Sequence, residues 1–207
     1  MSEPHLGTAA GEAELVALLA RRLPGRHGDL DARLQAGVPD RLAPAAVLVL
    51  LERGPAYRLV LTKRTHQVFH HKGEVSFAGG VADPGDADAR ATALREAHEE
   101  LGLEPGAVRV LGELDQLVTV TGFLVTPVVG ATDADVIYRP NPAEVERVLQ
   151  VTMRHLRDPD HWFDDERVWR GEVHRLRSCR FGEDVIWGAT SRILQNFLTV
   201  VPPHLLP

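Results

Sequence analysis

Cysteine is almost absent from the 207-residue sequence: Cys179 stands alone. That excludes an internal disulfide and a cysteine-rich zinc site, and it suits a reducing compartment. Cys179 is expected to be a small core residue. Long apolar runs are missing as well. The longest, Ala43 to Leu51, contains Pro44 and falls far short of the ~20 residues that span a bilayer. The opening "MSEPHLGTAAGEAELVALLARRL" has acidic residues early, no uncharged apolar run of signal length and no Lys/Arg-rich leader, and "PPHLLP" at the end is no recognisable address. A cytoplasmic location and no membrane partner are expected. Positive charge is also short. Lys and Arg number 23 against 29 Asp and Glu, a formal net charge of -6, so no global basic field exists to grip nucleic acid.

What is present fits one globular domain over residues 1–207, with a hydrophobic share of 44%. An amphipathic helix is expected over about 11–23, with Leu15, Leu18, Leu19 and Leu23 inward and Pro24-Gly25 ending it. Ala45 to Leu51 and Tyr57 to Thr62 read as a hairpin turning at "RGP", and "GEVSFAGG" as a further extended segment entering a glycine loop. "AVRVLGELDQLVTVTGFLVTPVVGAT" reads as two or three more strands. Asn141 and Pro142 signal a helix start. "VWRGEVHRLRSCRFGEDVIWG" reads as a late hairpin, and "ATSRILQNFLTVV" as a closing helix with Ile193, Leu194, Phe197 and Leu198 inward. The expected class is α/β, a mixed central sheet sandwiched between helices.

The chemistry concentrates in "FAGGVADPGDADARATALREAHEELGL", residues 77–103. Asp86 or Asp88 can cap a helix there, Pro84 keeps it from starting earlier, and Gly102 ends it. At ~100° per residue, Ala93, Leu94, Ala97 and Leu101 form an apolar arc, and Glu96, Glu99 and Glu100 line one flank of it. Arg95 stands one turn before Glu99, in reach to pair with it. Like charges such as Glu96 and Glu100 on successive turns cost a helix ~0.2 to 0.5 kcal/mol, and partial burial raises that cost. A cation should offset it. Magnesium takes one or two carboxylates plus phosphate oxygens, and the bare Gly79-Gly80 turn lets a backbone carbonyl approach the same spot.

The stretch resembles the Nudix box, the loop-helix signature G-x5-E-x7-R-E-U-x-E-E-x-G-U (U aliphatic) of a superfamily that hydrolyses nucleoside diphosphates linked to another group. Gly80, Arg95, Glu96, Ala97, Glu99, Glu100, Gly102 and Leu103 match it; the first acid is Asp86, and eight residues rather than seven separate it from Arg95. The resemblance implies a Nudix-type α/β/α sandwich whose catalytic loop-helix spans residues 79–103. It makes Glu96, Glu99 and Glu100 the metal-binding set for Mg2+ or Mn2+, Gly80 a carbonyl ligand and Arg95 the orienting arginine. One of the helix glutamates, or a distant Glu144 or Glu146, is left to take the proton of the attacking water.

Upstream, "LTKRTHQVFHHKGEVSFAGG" is similar to the segment that marks the coenzyme A pyrophosphatase branch of that superfamily, L-L-T-x-R-(S/A)-x3-R-x3-G-x3-F-P-G-G. Leu61, Thr62, Arg64, Gly73, Phe77, Gly79 and Gly80 fall in place, whereas Thr65, Phe69 and Ala78 depart from it. "IWGATSRIL" resembles the branch's closing segment. The resemblance implies cleavage of coenzyme A to 3',5'-ADP and 4'-phosphopantetheine. Lys63, Arg64 and Lys72, beside His66, His70 and His71, form a basic cluster suited to the substrate's phosphates. Another nucleoside diphosphate derivative, such as ADP-ribose or a dinucleotide, is the alternative substrate. A non-catalytic nucleotide sensor is a third reading, disfavoured because all three box glutamates are present. Messenger-RNA decapping is disfavoured by the acidic balance. Nothing in the sequence sets an oligomeric state.

Overall fold

A computed structural model describes residues 6–21, 41–65, 73–133, 136–169 and 171–206. Its centre is β1 (Ala43–Glu52), an apolar run buried on both faces over its second half. Such a two-sided strand needs cover above and below. On one side it pairs in parallel, over its whole length, with β7 (Phe123–Thr132). Its other edge is shared. The C-terminal half pairs antiparallel with β2 (Arg58–Arg64), and the N-terminal half with β4 (Ala78–Val81), which follows the short β3 (Val75–Ser76). β5 (Arg109–Glu113) and β6 (Leu117–Val118) line the outer edge of β7, and β8 (Val145–Thr152) pairs with β2. The sheet is therefore mixed.

Period-two alternation splits the side chains of these strands between two cores. Val49, Leu51, Leu59 and Leu61 face α1 (Ala9–Ala20) and the last long helix. Ala46, Leu48, Leu50 and Val60 face α2 (Ala89–Leu101), where Ala93 and Ala97 are fully buried. The small alanines let α2 lie close to the sheet. After β8 come α3 (Met153–Arg157) and a three-stranded antiparallel sheet of β9 (Trp162–Trp169), β10 (Glu172–Phe181) and β11 (Asp184–Ile186). α4 (Gly188–Val200) closes the first core with Ile193, Leu194 and Phe197 buried and Leu198 partly so. Helices thus cover both faces of a mixed sheet, as the α/β/α expectation required.

Three sequence expectations are adjusted. α1 begins at Ala9, because Thr8 caps it by accepting from the Gly11 N–H at 3.1 Å, and it ends at Ala20; Leu23 lies outside the described residues. The helix expected from Asn141 and Pro142 is a tight turn followed by β8. Asn141 does accept from the Ala143 N–H, at 3.1 Å, but the chain beyond it alternates. Val145, Leu149 and Val151 are buried, and pairing with β2 overrides the local helix signal. The late hairpin gains β11 as a third strand. Cys179 is fully buried in the first core. No helix among the described residues is long and apolar enough to cross a membrane.

Gly102 ends α2 at φ +62°, and a Cβ there would sit 2.9 Å from Cβ of Arg139. Gly102→Ala is expected to cost about 1–2 kcal/mol in urea unfolding, from left-handed strain plus that clash.

Candidate active site

The site is assembled where α2 crosses β4, the end of β2 and the turn before β8. Asp88 starts α2, its Oδ1 accepting from the Ala91 N–H at 2.8 Å. Asp86 does something else. With Asp83 it closes a tight turn (Asp86 N–H to Asp83 O, 2.9 Å; Asp83 N–H to Asp86 Oδ2, 2.9 Å) and presents its carboxylate to Arg95. Arg95 donates through Nε to Asp86 Oδ1 at 3.1 Å and through Nη2 to Asp86 Oδ2 and the Val81 carbonyl, both at 3.0 Å. Its Nη1 reaches Glu96 Oε1 at 2.9 Å and Glu99 Oε2 at 3.1 Å. One guanidinium therefore staples the glycine loop to two helix carboxylates. These bonds hold Asp86 at about 2 and raise Arg95 further above its already high range.

The three glutamates differ sharply. Glu99 is half-exposed and turned towards Arg95. Glu96 packs against Gly80 so closely that a Cβ there would lie 2.6 Å from the carboxyl carbon. Burial raises Glu96, opposed by Arg95 and reinforced by Glu99 and Glu144. Glu100 is only 2% exposed. The flank position read from the helix wheel becomes interior because β2 and the 136–145 segment close over it. Burial pushes Glu100 up to about 8, against the attraction of Arg64, while Glu96 and Glu144 push the same way as burial. Arg64, at the end of β2, places Nη1 3.3 Å from Glu100 Oε1; Glu100 Oε2 is buried with no hydrogen-bond partner among the described residues.

Glu144 was a distant candidate on sequence, and tertiary structure brings it close. The chain after β7 runs along the end of α2, where the Arg139 N–H donates to the Leu101 carbonyl at 2.7 Å and the Asn141 N–H to the Glu100 carbonyl at 2.9 Å. Asn141 Nδ2 then reaches Glu144 Oε1 at 3.4 Å, and the Glu144 carbonyl accepts from the Thr65 N–H at 2.9 Å. No sequence spacing signals this, because a backbone splint between two elements creates it. Glu146 is not delivered to the cluster; it lies 3.9 Å from Lys63. Lys63 itself is on the other face of β2 from Arg64, 3.0 Å from the buried Asp184, which also binds Arg147 at 2.6 Å. Lys72, with His66, Phe69, His70 and His71, lies outside the described residues.

The donor set suits a hard divalent cation: buried carboxylate oxygens, one of them unpartnered, beside a glycine that leaves room. Among the described residues no three His, Cys, Asp or Glu side chains already stand as a cage; Arg64 pairs with Glu100, and Arg95 with Glu96 and Glu99.

Comparison with known proteins identifies the family. The family model described as NUDIX domain matches residues 41–177. A protein of Escherichia coli strain K12 named uncharacterized Nudix hydrolase NudL is 38% identical over 152 residues, covering 73% of this chain and 79% of its own. Its namesake in Photorhabdus laumondii is 40% identical over 154 residues, covering 73% and 81%. A solved Nudix hydrolase from Alicyclobacillus acidocaldarius overlaps at a TM-score of 0.49 and 19% identity, over 77% of this chain and 91% of that one. The chain belongs to the Nudix hydrolase family, whose members hydrolyse diphosphate bonds in nucleoside diphosphate derivatives, generally with divalent metal ions.

The burial of Glu100 has a pH consequence. Folded and metal-free, the chain keeps that proton up to about pH 8, whereas the ordinary carboxyl releases it near 4.5. The folded state binds more protons in this window, so its stability falls as pH rises through it. Urea midpoints of the metal-free wild type are expected to show this fall, and Glu100→Gln, which mimics the protonated form, to flatten it.

Proposed function

We propose that this chain is a metal-dependent diphosphatase that cleaves coenzyme A or its derivatives to 3',5'-ADP and 4'-phosphopantetheine, or to the acylated form of the latter. The observation that carries the substrate choice is the position of Arg64. It is the arginine of the upstream segment that resembles the coenzyme A branch, and it ends 3.3 Å from a carboxylate of the Nudix helix. A guanidinium there stands beside the reacting diphosphate, where planar paired donors suit phosphoryl oxygens.

Glu96, Glu99 and Glu100, with the carbonyl of Gly80, are the groups we assign to the metal ions. Bound there, Mg2+ or Mn2+ would neutralise diphosphate charge and make water more acidic. The chain's own residues do the rest. Arg95, clamped by Asp86, fixes the rotamers of Glu96 and Glu99 and holds the Val81 end of β4 against the helix. Gly80 keeps the Glu96 carboxylate in place by offering no side chain to displace it. Glu144 is our assignment for the group that accepts the proton of the attacking water, since Arg95 does not claim it and it sits close enough to influence both Glu96 and Glu100. Water adds to one phosphorus, the bridging P–O bond breaks, and the second phosphate leaves. Substrate contacts to Lys63 are not part of the proposal, because its face of β2 is occupied by Asp184.

Purified protein incubated with coenzyme A and Mg2+ or Mn2+ is expected to release 3',5'-ADP on chromatography, with Glu100→Gln losing most of the rate. Turnover of ADP-ribose or a dinucleotide without coenzyme A would replace the substrate assignment, and no turnover of any of them would favour a nucleotide sensor. Glu144→Gln is expected to lower kcat by about 10²–10⁴-fold with a smaller change in KM, as removal of a general base does.

A further inference from the structure

Arg64 and Arg95 are the guanidinium groups beside the buried carboxylates, and they are held very differently. Arg95 donates to Asp86, Glu96, Glu99 and the Val81 carbonyl. Among the described residues Arg64 makes one long side-chain contact, Nη1 to Glu100 Oε1 at 3.3 Å, against about 2.7–2.9 Å for a good charge-assisted bond. Its Nε and the other oxygen of Glu100 are both buried with no partner among the described residues, so the bidentate geometry open to such a pair is unused. The backbone around it is nonetheless fixed: the Arg64 N–H donates to the Glu74 carbonyl and the Thr65 N–H to the Glu144 carbonyl, each at 2.9 Å. The guanidinium, by contrast, is held by that long contact alone among the described residues.

Resting on the metal-dependent reading above, we infer that Arg64 is an exchangeable partner of Glu100. It lies against Glu100 while no divalent ion is bound, and when a divalent ion takes up the ionised carboxylate it turns to an anionic oxygen of the substrate. A divalent cation at Glu100 supplies more charge than the guanidinium it replaces, and like charges at that distance repel. Released, Arg64 needs an anion, and the family's diphosphate substrates bring one. Metal and substrate then favour each other through this side chain, in addition to any direct contact between them, and the coupling is reciprocal. Arg95 cannot take this role, because releasing it would free Asp86, Glu96 and Glu99 together.

The test is equilibrium binding rather than turnover, using Mn2+ alone and α,β-methylene-ADP, a nucleoside diphosphate whose bridge resists hydrolysis. Arg64→Met, with Arg64→Gln as a second neutral variant, is expected to bind Mn2+ about tenfold or more tightly than wild type, because a repelling charge is gone. With saturating Mg2+ the same variants are expected to lose about tenfold in nucleotide affinity, and without Mg2+ less than about twofold. Arg64→Lys should stay near wild type in Mn2+ affinity. Unchanged or weaker Mn2+ binding by neutral variants that melt like wild type overturns the inference, since Arg64 would then only brace Glu100. An equal nucleotide loss with and without Mg2+, or no nucleotide binding in either condition, overturns it too. Mn2+ binding by wild type that Glu100→Gln abolishes upholds the metal reading whatever Arg64 does; absence of Mn2+ binding by wild type removes that reading and this inference with it.

Discussion

A carboxylate that is 2% exposed, on a helix lying against a sheet, sets the terms for everything around it. Taking a charge out of water is expensive unless a partner compensates it. Among the described residues Glu100 receives a single loose guanidinium contact and two repelling neighbours, Glu96 and Glu144, and its proton is retained far above the usual carboxylate range. Such an arrangement disfavours the ionised, metal-free state. It is the kind of local cost a fold carries where chemistry occurs, and it leaves an electrostatic demand that a divalent ion meets.

The elements near Glu100 can be understood as the means of keeping it buried. Ala93 and Ala97 bring α2 down onto β1, and Gly80 lets Glu96 lie against β4. Arg95 and Asp86 lock the loop that precedes the helix, so the glycine turn and the carboxylates share one frame. The 136–145 segment is hydrogen-bonded to the carbonyls of Glu100 and Leu101, which ties the backbone before Glu144 to the helix end. Behind the sheet, Lys63, Arg147 and Asp184 tie the three-stranded sheet to β2 and β8. That network consumes a lysine whose position in the sequence, next to Arg64, suggested a substrate contact.

Much of this was readable from residue order, because local rules govern it. The span of α2 followed from an aspartate cap at 86 or 88, of which the structure uses Asp88, from Gly102 and from the alanine spacing, and the contact between Arg95 and Glu99 followed from helical spacing. The hairpin of β1 and β2 and the strands after α2 followed from alternation and turn residues. Asn141 and Pro142 misled, since a cap signal says only that a turn can begin. Whether a helix or a strand follows depends on what the next residues pair with, and β2 was waiting for them.

The sequence by itself determined the family, the helix that carries the glutamates and the glycine loop before it, since each is a pattern of near neighbours obeying backbone geometry. Only the tertiary structure decided that Glu100 is interior while Glu99 is half-exposed, that Arg64 rather than Lys63 meets the carboxylates, and that Glu144 joins them. The reason is physical. Burial, the face a strand residue presents and the approach of distant loops are set by packing between elements, and no spacing along the chain encodes the low-dielectric surroundings that those contacts create.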